Sequence, residues 1–316
     1  MTVAENATDE GDDLSPAGSA RPQALLLTFL GAHVLGRDIH VATASVIEVM
    51  GRAGISEHAT RSTLSRMARR DLLRRTRRGR NVYIGLTERS RAILLDGERR
   101  IWHDGAVNHD WDGTWTLLGF SMPESWQRQR HVLRSRLLWA GFGSLQSGLW
   151  IAPSTVDVSP LLDGLGTDSH VKVFQARALP PTEIAEIVRD AWDLERIAGH
   201  YHAFLARWGE RGEAGAQAPD GLARHLLLEA DWLQTIRTDP RLPRRHLPAD
   251  WPAEPAQDQF RAVNAELKRD ALAIAAGLLD TIPGTVPDTT TSSPETVTRI
   301  GSEADDQLKP ATPQLN

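Results

Sequence analysis

Apolar residues recur at helical spacing across residues 23–35, at Leu26, Phe29, Leu30 and Val34. A second short helix fits 43–50, with Thr43 or Ser45 as N-cap and Val46, Ile47 and Met50 turned inward. Residues 51–55 (GRAGI) form a glycine-bearing turn, and Ser56 suits the N-cap of a third helix over 57–71. On a helical wheel centred on Leu64, the side chains of Thr60, Met67, Ala68 and Asp71 share the buried side. Ser62, Ser65, Arg66 and Arg69 fall opposite, with Arg61 and Arg70 on the flanks. Residues 72–87 (LLRRTRRGRNVYIGLT) then read as strand, turn and strand. Val82, Ile84 and Leu86 alternate with Asn81, Tyr83 and Gly85 behind a tip of Arg77, Arg78, Gly79 and Arg80.

Thr87 caps a linking helix running to Trp102, and the stretch HDGAVNHDWDG after it marks a domain boundary. Beyond it the pattern alternates. Residues 114–120 predict a strand, Pro123 to Ala140 a helix, and 143–146 and 149–153 two short strands. Residues 156–165 predict a short helix and 170–176 a strand. The order βαββαβ is the ferredoxin-like plan, which hosts many activities and selects none.

A long helix follows over 182–208, N-capped by Thr182, with Ile184, Ile187, Leu194, Ile197, Tyr201, Phe204 and Trp208 in its stripe. After a polar link, a helix at 221–236 and a proline-rich connection, 239–255, lead to a last helix through Leu278. Residues 1–20 and 283–316 have the composition of disordered tails. The fold class is therefore α+β and multidomain. A winged helix-turn-helix with its linking helix occupies 21–103, a ferredoxin-like domain 104–178, and an α-helical domain 179–282.

Composition alone points away from nucleic acid, because the 316 residues carry a net charge of −5. The distribution reverses that. Residues 52–100 hold fourteen arginines, no lysine and five acids, a net +9, which leaves −14 for the remainder. One basic block in an acidic chain is the footprint of a polyanion-binding face; the plainer alternative is a solvated helix surface. Two helices, a glycine turn, and a third helix whose outer face is arginine and serine match the helix-turn-helix plan, in which that third helix enters the major groove. Arginine suits guanine and phosphate, and serine serves either. Arg61, Ser62, Ser65, Arg66 and Arg69 are thus the expected groove contacts, and Arg77, Arg78 and Arg80 the expected wing contacts to backbone or minor groove.

The absence of cysteine excludes disulfides, thiolate-bound metal and thiol nucleophiles. Apolar runs are too short to span a bilayer and the acidic start is unlike a secretion signal, so a cytoplasmic location is expected.

Three stretches resemble the phenylacetic acid catabolism repressors, the PaaX family. They are TRSTLSRMARRDLL with GRNVYIGLT (60–73 and 79–87), WDGTW with GLWIAP (111–115 and 148–153), and DPRLPRRHLPADWP (239–252). The resemblance covers residues 21–280. It departs at Leu72, where the family pattern has Trp, a change of packing. It implies a homodimeric, cytoplasmic bacterial regulator, usually a repressor, that binds a double-stranded operator. It also implies a middle domain similar to the small CRISPR-associated nucleases, and release from DNA by an aryl-acetyl coenzyme A thioester.

Other chemistry is sparse. The motifs GxxxxGK[ST], HExxH and GxSxG are missing, no cofactor is called for, and GFGSLQSG (141–148) has the wrong spacing for a dinucleotide loop. His103 and His109 with Asp104, Asp110 and Asp112 suit a turn better than a metal, and His200 and His202 point different ways on a helix. No metal site is expected. A metal-dependent nuclease is the alternative from another class, and the end of the first middle-domain strand (GFSM, 119–122) lacks the acid such enzymes place there. An effector-free nucleic-acid-binding protein is a third reading. Ten of the eighteen aromatic residues are tryptophan. Core packing is their plain role, and Trp115 and Trp150 are the candidates to line an effector pocket.

Overall fold

The computed structural model describes residues 22–102, 105–209, 218–237 and 239–284. The predicted tail at 1–20, residues 285–316 of the other, the link at 210–217, His103 and Asp104 lie outside the described residues. Helix α1 (Pro22–His33) is followed by strand β1 (Ile39–Ala42), α2 (Thr43–Arg52) and α3 (Glu57–Arg69). Ser56 caps α3 as its sequence suggests, its Oγ accepting from Ala59 N at 3.2 Å. The wing is β2 (Leu73–Arg78) and β3 (Asn81–Leu86), paired from Leu73↔Leu86 to Arg78↔Asn81. That register leaves a two-residue turn, in which Gly79 takes φ +60°, a conformation other residues rarely adopt.

Neither Thr43 nor Ser45 caps α2. Ala42, the last residue of β1, holds that position. Ser45 instead donates to Leu278 O at 3.0 Å and accepts from Asp280 N at 3.0 Å. This contact belongs to a feature the sequence pattern hid. The chain ends its last helix and adds β8 (Thr281–Pro283) to the head, giving a sheet of order β2-β3-β1-β8. Pro283, expected in the disordered tail, pairs with Ile39. Tyr83 Oη donates to Asp280 Oδ2 at 2.9 Å and fixes the same junction.

The linking helix α4 (Glu88–Trp102) starts as expected: Thr87 N donates to Ser90 Oγ at 3.0 Å, and Ser90 N donates to Thr87 Oγ1 at 3.2 Å. The middle sheet contains β4 (Trp115–Phe120), β5 (Gly143–Gln146), β6 (Leu149–Pro153) and β7 (Val171–Ala176), in order β5-β6-β4-β7 with antiparallel neighbours. This is the ferredoxin-like arrangement. Helix α5 (Gln127–Trp139) begins four residues after Pro123, and Arg130 Nη2 donates to the carbonyls of Met122 and Pro123 at 3.0 and 3.3 Å. The second helix of the plan shrinks to one turn, α6 (Ser159–Leu162).

The predicted helix over 182–208 is two helices, α7 (Ile184–Ala191) and α8 (Leu194–Trp208). Trp192 is extended between them and donates from Nε1 to Gly141 O at 3.2 Å. Asp193 then caps α8, accepting from Arg196 N at 2.9 Å. Thr182 lies outside α7 and caps nothing. Helices α9 (Gly221–Ile236) and α10 (Ala253–Leu278) complete the chain.

Those two helices serve two cores. Leu222, Leu226, Ala230, Ala271 and Ala275 pack with Leu25, Phe29, Val46 and Leu64 of the head. Leu228, Trp232, Phe260 and Leu267 pack with Trp115, Tyr201 and Phe204. A third core lies on the other face of the middle sheet, with Leu118, Leu133, Phe142 and Trp150. Leu72 is buried in the head core, so the departure from Trp is one of packing.

Candidate nucleic-acid interface

Helix α3 buries Thr60, Thr63, Leu64 and Met67 against the head. That leaves Arg61, Ser65, Arg66 and Arg69 exposed and Ser62 half-buried. Arg61 Nε pairs with Glu57 Oε1 at 2.7 Å, one turn back. Arg66 donates from Nη1 to Ser62 Oγ at 3.2 Å and from Nη2 to Thr63 Oγ1 at 3.1 Å. Those hydroxyls hold the guanidinium along the helix without neutralising it.

The wing supplies Arg74, Arg75, Arg77, Arg78 and Arg80, all exposed. Arg77 Nε donates to Gly79 O at 3.4 Å across the turn. Arg75 pairs in register with Ile84, so it shares the wing face turned toward α3. From there its Nη2 donates to Ser65 Oγ at 3.2 Å. The helix face and the wing are thereby joined into one surface. Beneath it, Thr76 Oγ1 and His40 Nδ1 are 2.9 Å apart. Burial, then the charge of Arg74, holds His40 below its ordinary pKa.

Arg75 and Arg74 were absent from the expected contacts. The alternation in LRRTRR carries the missing signal, since it sets Leu73, Arg75 and Arg77 on one face and Arg74, Thr76 and Arg78 on the other.

The basic block divides by pairing. Arg52 pairs with Glu48 at 2.9 Å and with Asp220, and Arg99 and Arg100 each reach Asp96 at 2.8 Å. In contrast, Arg66, Arg69, Arg74, Arg75, Arg77, Arg78 and Arg80 make no ion pair among the described residues. The uncompensated charge therefore collects on α3 and the wing, where a polyanion would supply the missing partners.

The tryptophans do not converge. Trp115 lies in the aromatic core, edge-on to Trp111 at 4.7 Å and stacked on Trp192 at 6.2 Å, and its Nε1 has no hydrogen-bond partner among the described residues. Trp150 pairs with Leu118 and lies in the core on the opposite face of the sheet. A cavity of about 20 Å³, the size of one water, lies beside Tyr201, Trp232, Asp239 and Arg241. Burial pushes the Asp239 carboxyl up to about 6. Tyr201 Oη donates to it, and Arg241 N does so at 2.6 Å. Arg241 Nε also reaches Gly105 O at 2.9 Å, and Arg244 Nε reaches Glu254 Oε2 at 2.9 Å. The proline-rich segment thus staples helices α8 and α10 to the loop before the middle sheet.

His109 Nε2 lies 2.9 Å from Glu254 Oε1, and Asp112 accepts from Thr114 N and Oγ1 at 2.8 and 2.9 Å, as a turn residue does. Among the described residues no cluster of three or more His, Asp or Glu side chains is placed to hold a metal ion. No helix among them is long and apolar enough to cross a membrane.

Three family models match the chain: the PaaX-like protein at residues 21–90, the PaaX protein central Cas2-like domain at 108–188, and the PaaX-like protein C-terminal domain at 192–277. The transcriptional repressor PaaX of Escherichia coli (strain K12) is 26% identical over 275 residues, covering 83% of this chain and 85% of that protein. Among solved structures, the uncharacterized protein Rv0674 from Mycobacterium tuberculosis superposes with a TM-score of 0.53 at 24% identity, over 80% of this chain and 98% of that one. The likeness to Rv0674 concerns the fold. With a head, a Cas2-like sheet and a helical C-terminal part matched in sequence order, the chain belongs to the PaaX family.

Proposed function

We propose that this protein is a DNA-binding transcriptional repressor of an aromatic-acid catabolic operon, acting as a homodimer and released from its operator by an aryl-acyl coenzyme A thioester. The observation that carries the reading is the joined surface of α3 and the wing, on which seven arginines besides the Glu57-paired Arg61 make no ion pair among the described residues. Arg61, Ser62, Ser65, Arg66 and Arg69 would contact the major groove, and Arg77, Arg78 and Arg80 the backbone or minor groove. The resemblance to a curated transcriptional repressor supports the regulatory role. For the effector, Trp115 is favoured over Trp150, because its indole N–H is buried without a partner among the described residues.

A gel-shift titration on the duplex upstream of the coding sequence tests DNA binding. A thermal-shift screen of acyl-CoA thioesters tests the effector, since a ligand bound only to the folded chain raises its Tm. Aryl-acyl-CoA is expected to raise the Tm and to release the shifted duplex. A duplex left unshifted by the wild type would remove the repressor reading.

A further inference from the structure

We infer that β8, added to the head from the far end of the chain, positions the arginine wing for DNA, with Asp280 as the positioning residue acting through Tyr83. The inference rests on the DNA-binding reading above and assigns a role in it to residues outside the basic surface. One face of the head sheet is committed to the core, where Val41, Leu73, Ile84 and Leu86 are buried. Side chains alternate along a strand, so His40, Ala42, Tyr83, Thr76 and Arg74 lie on the other face.

Two rows of contacts cross that second face from β8 to the wing. In the first, Asp280 O accepts from Ala42 N at 2.8 Å, Ala42 pairs with Tyr83, and Tyr83 pairs with Thr76. The Tyr83 hydroxyl reaches back past Ala42 and donates to Asp280 Oδ2 at 2.9 Å. In the second, Ile282 pairs with His40, and Gly85 pairs with Arg74. A Cβ at Gly85 would overlap the His40 ring, so the glycine makes room for the imidazole. From that place His40 Nδ1 lies 2.9 Å from Thr76 Oγ1. Ala42, Tyr83 and Ile282 are buried together as a small core of their own.

The wing depends on such a brace. A two-stranded hairpin is marginal by itself, so its direction follows from what holds its base. Here the base is β1, four residues long, which meets β3 at Val41↔Ile84 and Ala42↔Tyr83. Strand β8 holds the other side of β1 from Ile39↔Pro283 to Val41↔Thr281, and Gly284 N donates to Asp38 O at 2.9 Å. It follows directly on α10, which packs Phe260 in the aromatic core and Ala271 in the head core. The wing is thereby tied to the C-terminal helices as well as to α3.

Asp280 is exposed, so Asp280→Ala should leave the chain folded. It is expected to weaken duplex binding by about threefold through the loss of one hydrogen bond. Loss of a negative charge alone would tighten binding, so the two causes have opposite signs. Asp280→Asn keeps an acceptor for the Tyr83 hydroxyl and should bind at least as well as the wild type. The loss caused by Asp280→Ala should vanish in an Arg78→Ala, Arg80→Ala background and persist beside Arg66→Ala. In the free protein, Asp280→Ala should speed amide hydrogen exchange across β2 and β3 and leave α3 unchanged. Unchanged wing exchange, an Asp280→Asn protein as weak as Asp280→Ala, or an equal loss in both arginine backgrounds would each overturn the inference. Exchange is read without DNA. A wild type that shifts no duplex therefore removes the repressor reading, whereas unchanged wing exchange removes this inference alone.

Discussion

Arg75 Nη2 donates to Ser65 Oγ at 3.2 Å, joining the first strand of the wing to the outer face of α3. The bond links the two parts that would contact DNA, and both side chains are exposed, so its energy is modest in the free chain. Once DNA excludes water, the pair is worth more. Ser65→Ala and Arg75→Ala are each expected to weaken binding. In a double-mutant cycle they should couple by about 0.5–1 kcal/mol. Additivity within about 0.3 kcal/mol in binding isotherms would show that helix and wing act independently.

Arg66 and Arg78 should fail in different ways. Arg66 is held along the helix by Ser62 and Thr63, a position suited to a base edge. Arg66→Ala is expected to cost about 1–3 kcal/mol at one base pair and relax specificity there. Arg78, beside the wing tip, should contact phosphate. Arg78→Ala is expected to weaken all sequences alike and to flatten the salt dependence by about one unit. Competition titrations with single-base operator variants separate the two, and identical profiles would refute the assignment.

Ser56 accepts the Ala59 N–H that α3 would otherwise leave unpaired. Ser56→Ala should cost about 1 kcal/mol of stability. The thermal midpoint is expected to fall by a few degrees, with the salt dependence of DNA binding unchanged. A Tm equal to the wild type would show that the cap contributes nothing.

Glu229 gives the stability a pH dependence. Burial pushes its carboxyl from 4.5 up to about 7, with Lys268 pulling the other way, and His225 Nε2 lies 3.7 Å from Oε1. Between those values the folded chain keeps a proton that the unfolded chain has lost. Stability attributable to this group therefore falls as pH rises from about 4.5 to 7. Nearby His33 has the opposite sign: burial, then Arg37 and His225, lowers it to about 4, so its share of stability is lost as pH falls from 6.5 toward 4. Comparing Glu229→Gln with the wild type cancels the histidine. The variant should gain on the wild type by about 1 kcal/mol per unit between pH 5 and 7 in denaturant melts. A difference independent of pH would contradict the buried carboxylic acid.

The head was legible where local chemistry decides structure. Ser56, the stripe through Leu64 and Met67, and the glycine of the wing turn all act within a few residues. Strand β1 was hidden because four residues, IHVA, sit between two helices and take one partner, β8, from the far end of the chain. The break at Trp192 was masked because its indole suits either a helix stripe or an extended link, and its bond to Gly141 O is a tertiary contact. Ser45 looked like a cap and became a bridge to α10. At the interface, composition found the arginines, while the Ser65–Arg75 bond depended on a hairpin register visible only once the strands paired. The aromatic core shows the same limit, since spacing placed Trp115 and Trp150 in one domain and only the sheet put them on opposite faces.

The central claim is that the arginines of α3 and the wing hold duplex DNA. The most direct test is a fluorescence-anisotropy titration on the upstream duplex across a series of salt concentrations. It compares the wild type with a variant carrying Arg66→Gln, Arg69→Gln, Arg78→Gln and Arg80→Gln. The variant should fold as the wild type does by circular dichroism, because those side chains are exposed and make no ion pair among the described residues. The slope of log K on log salt is predicted to become shallower by about three to four units per protomer, with affinity falling accordingly. A folded variant that keeps the wild-type slope and affinity would contradict the claim.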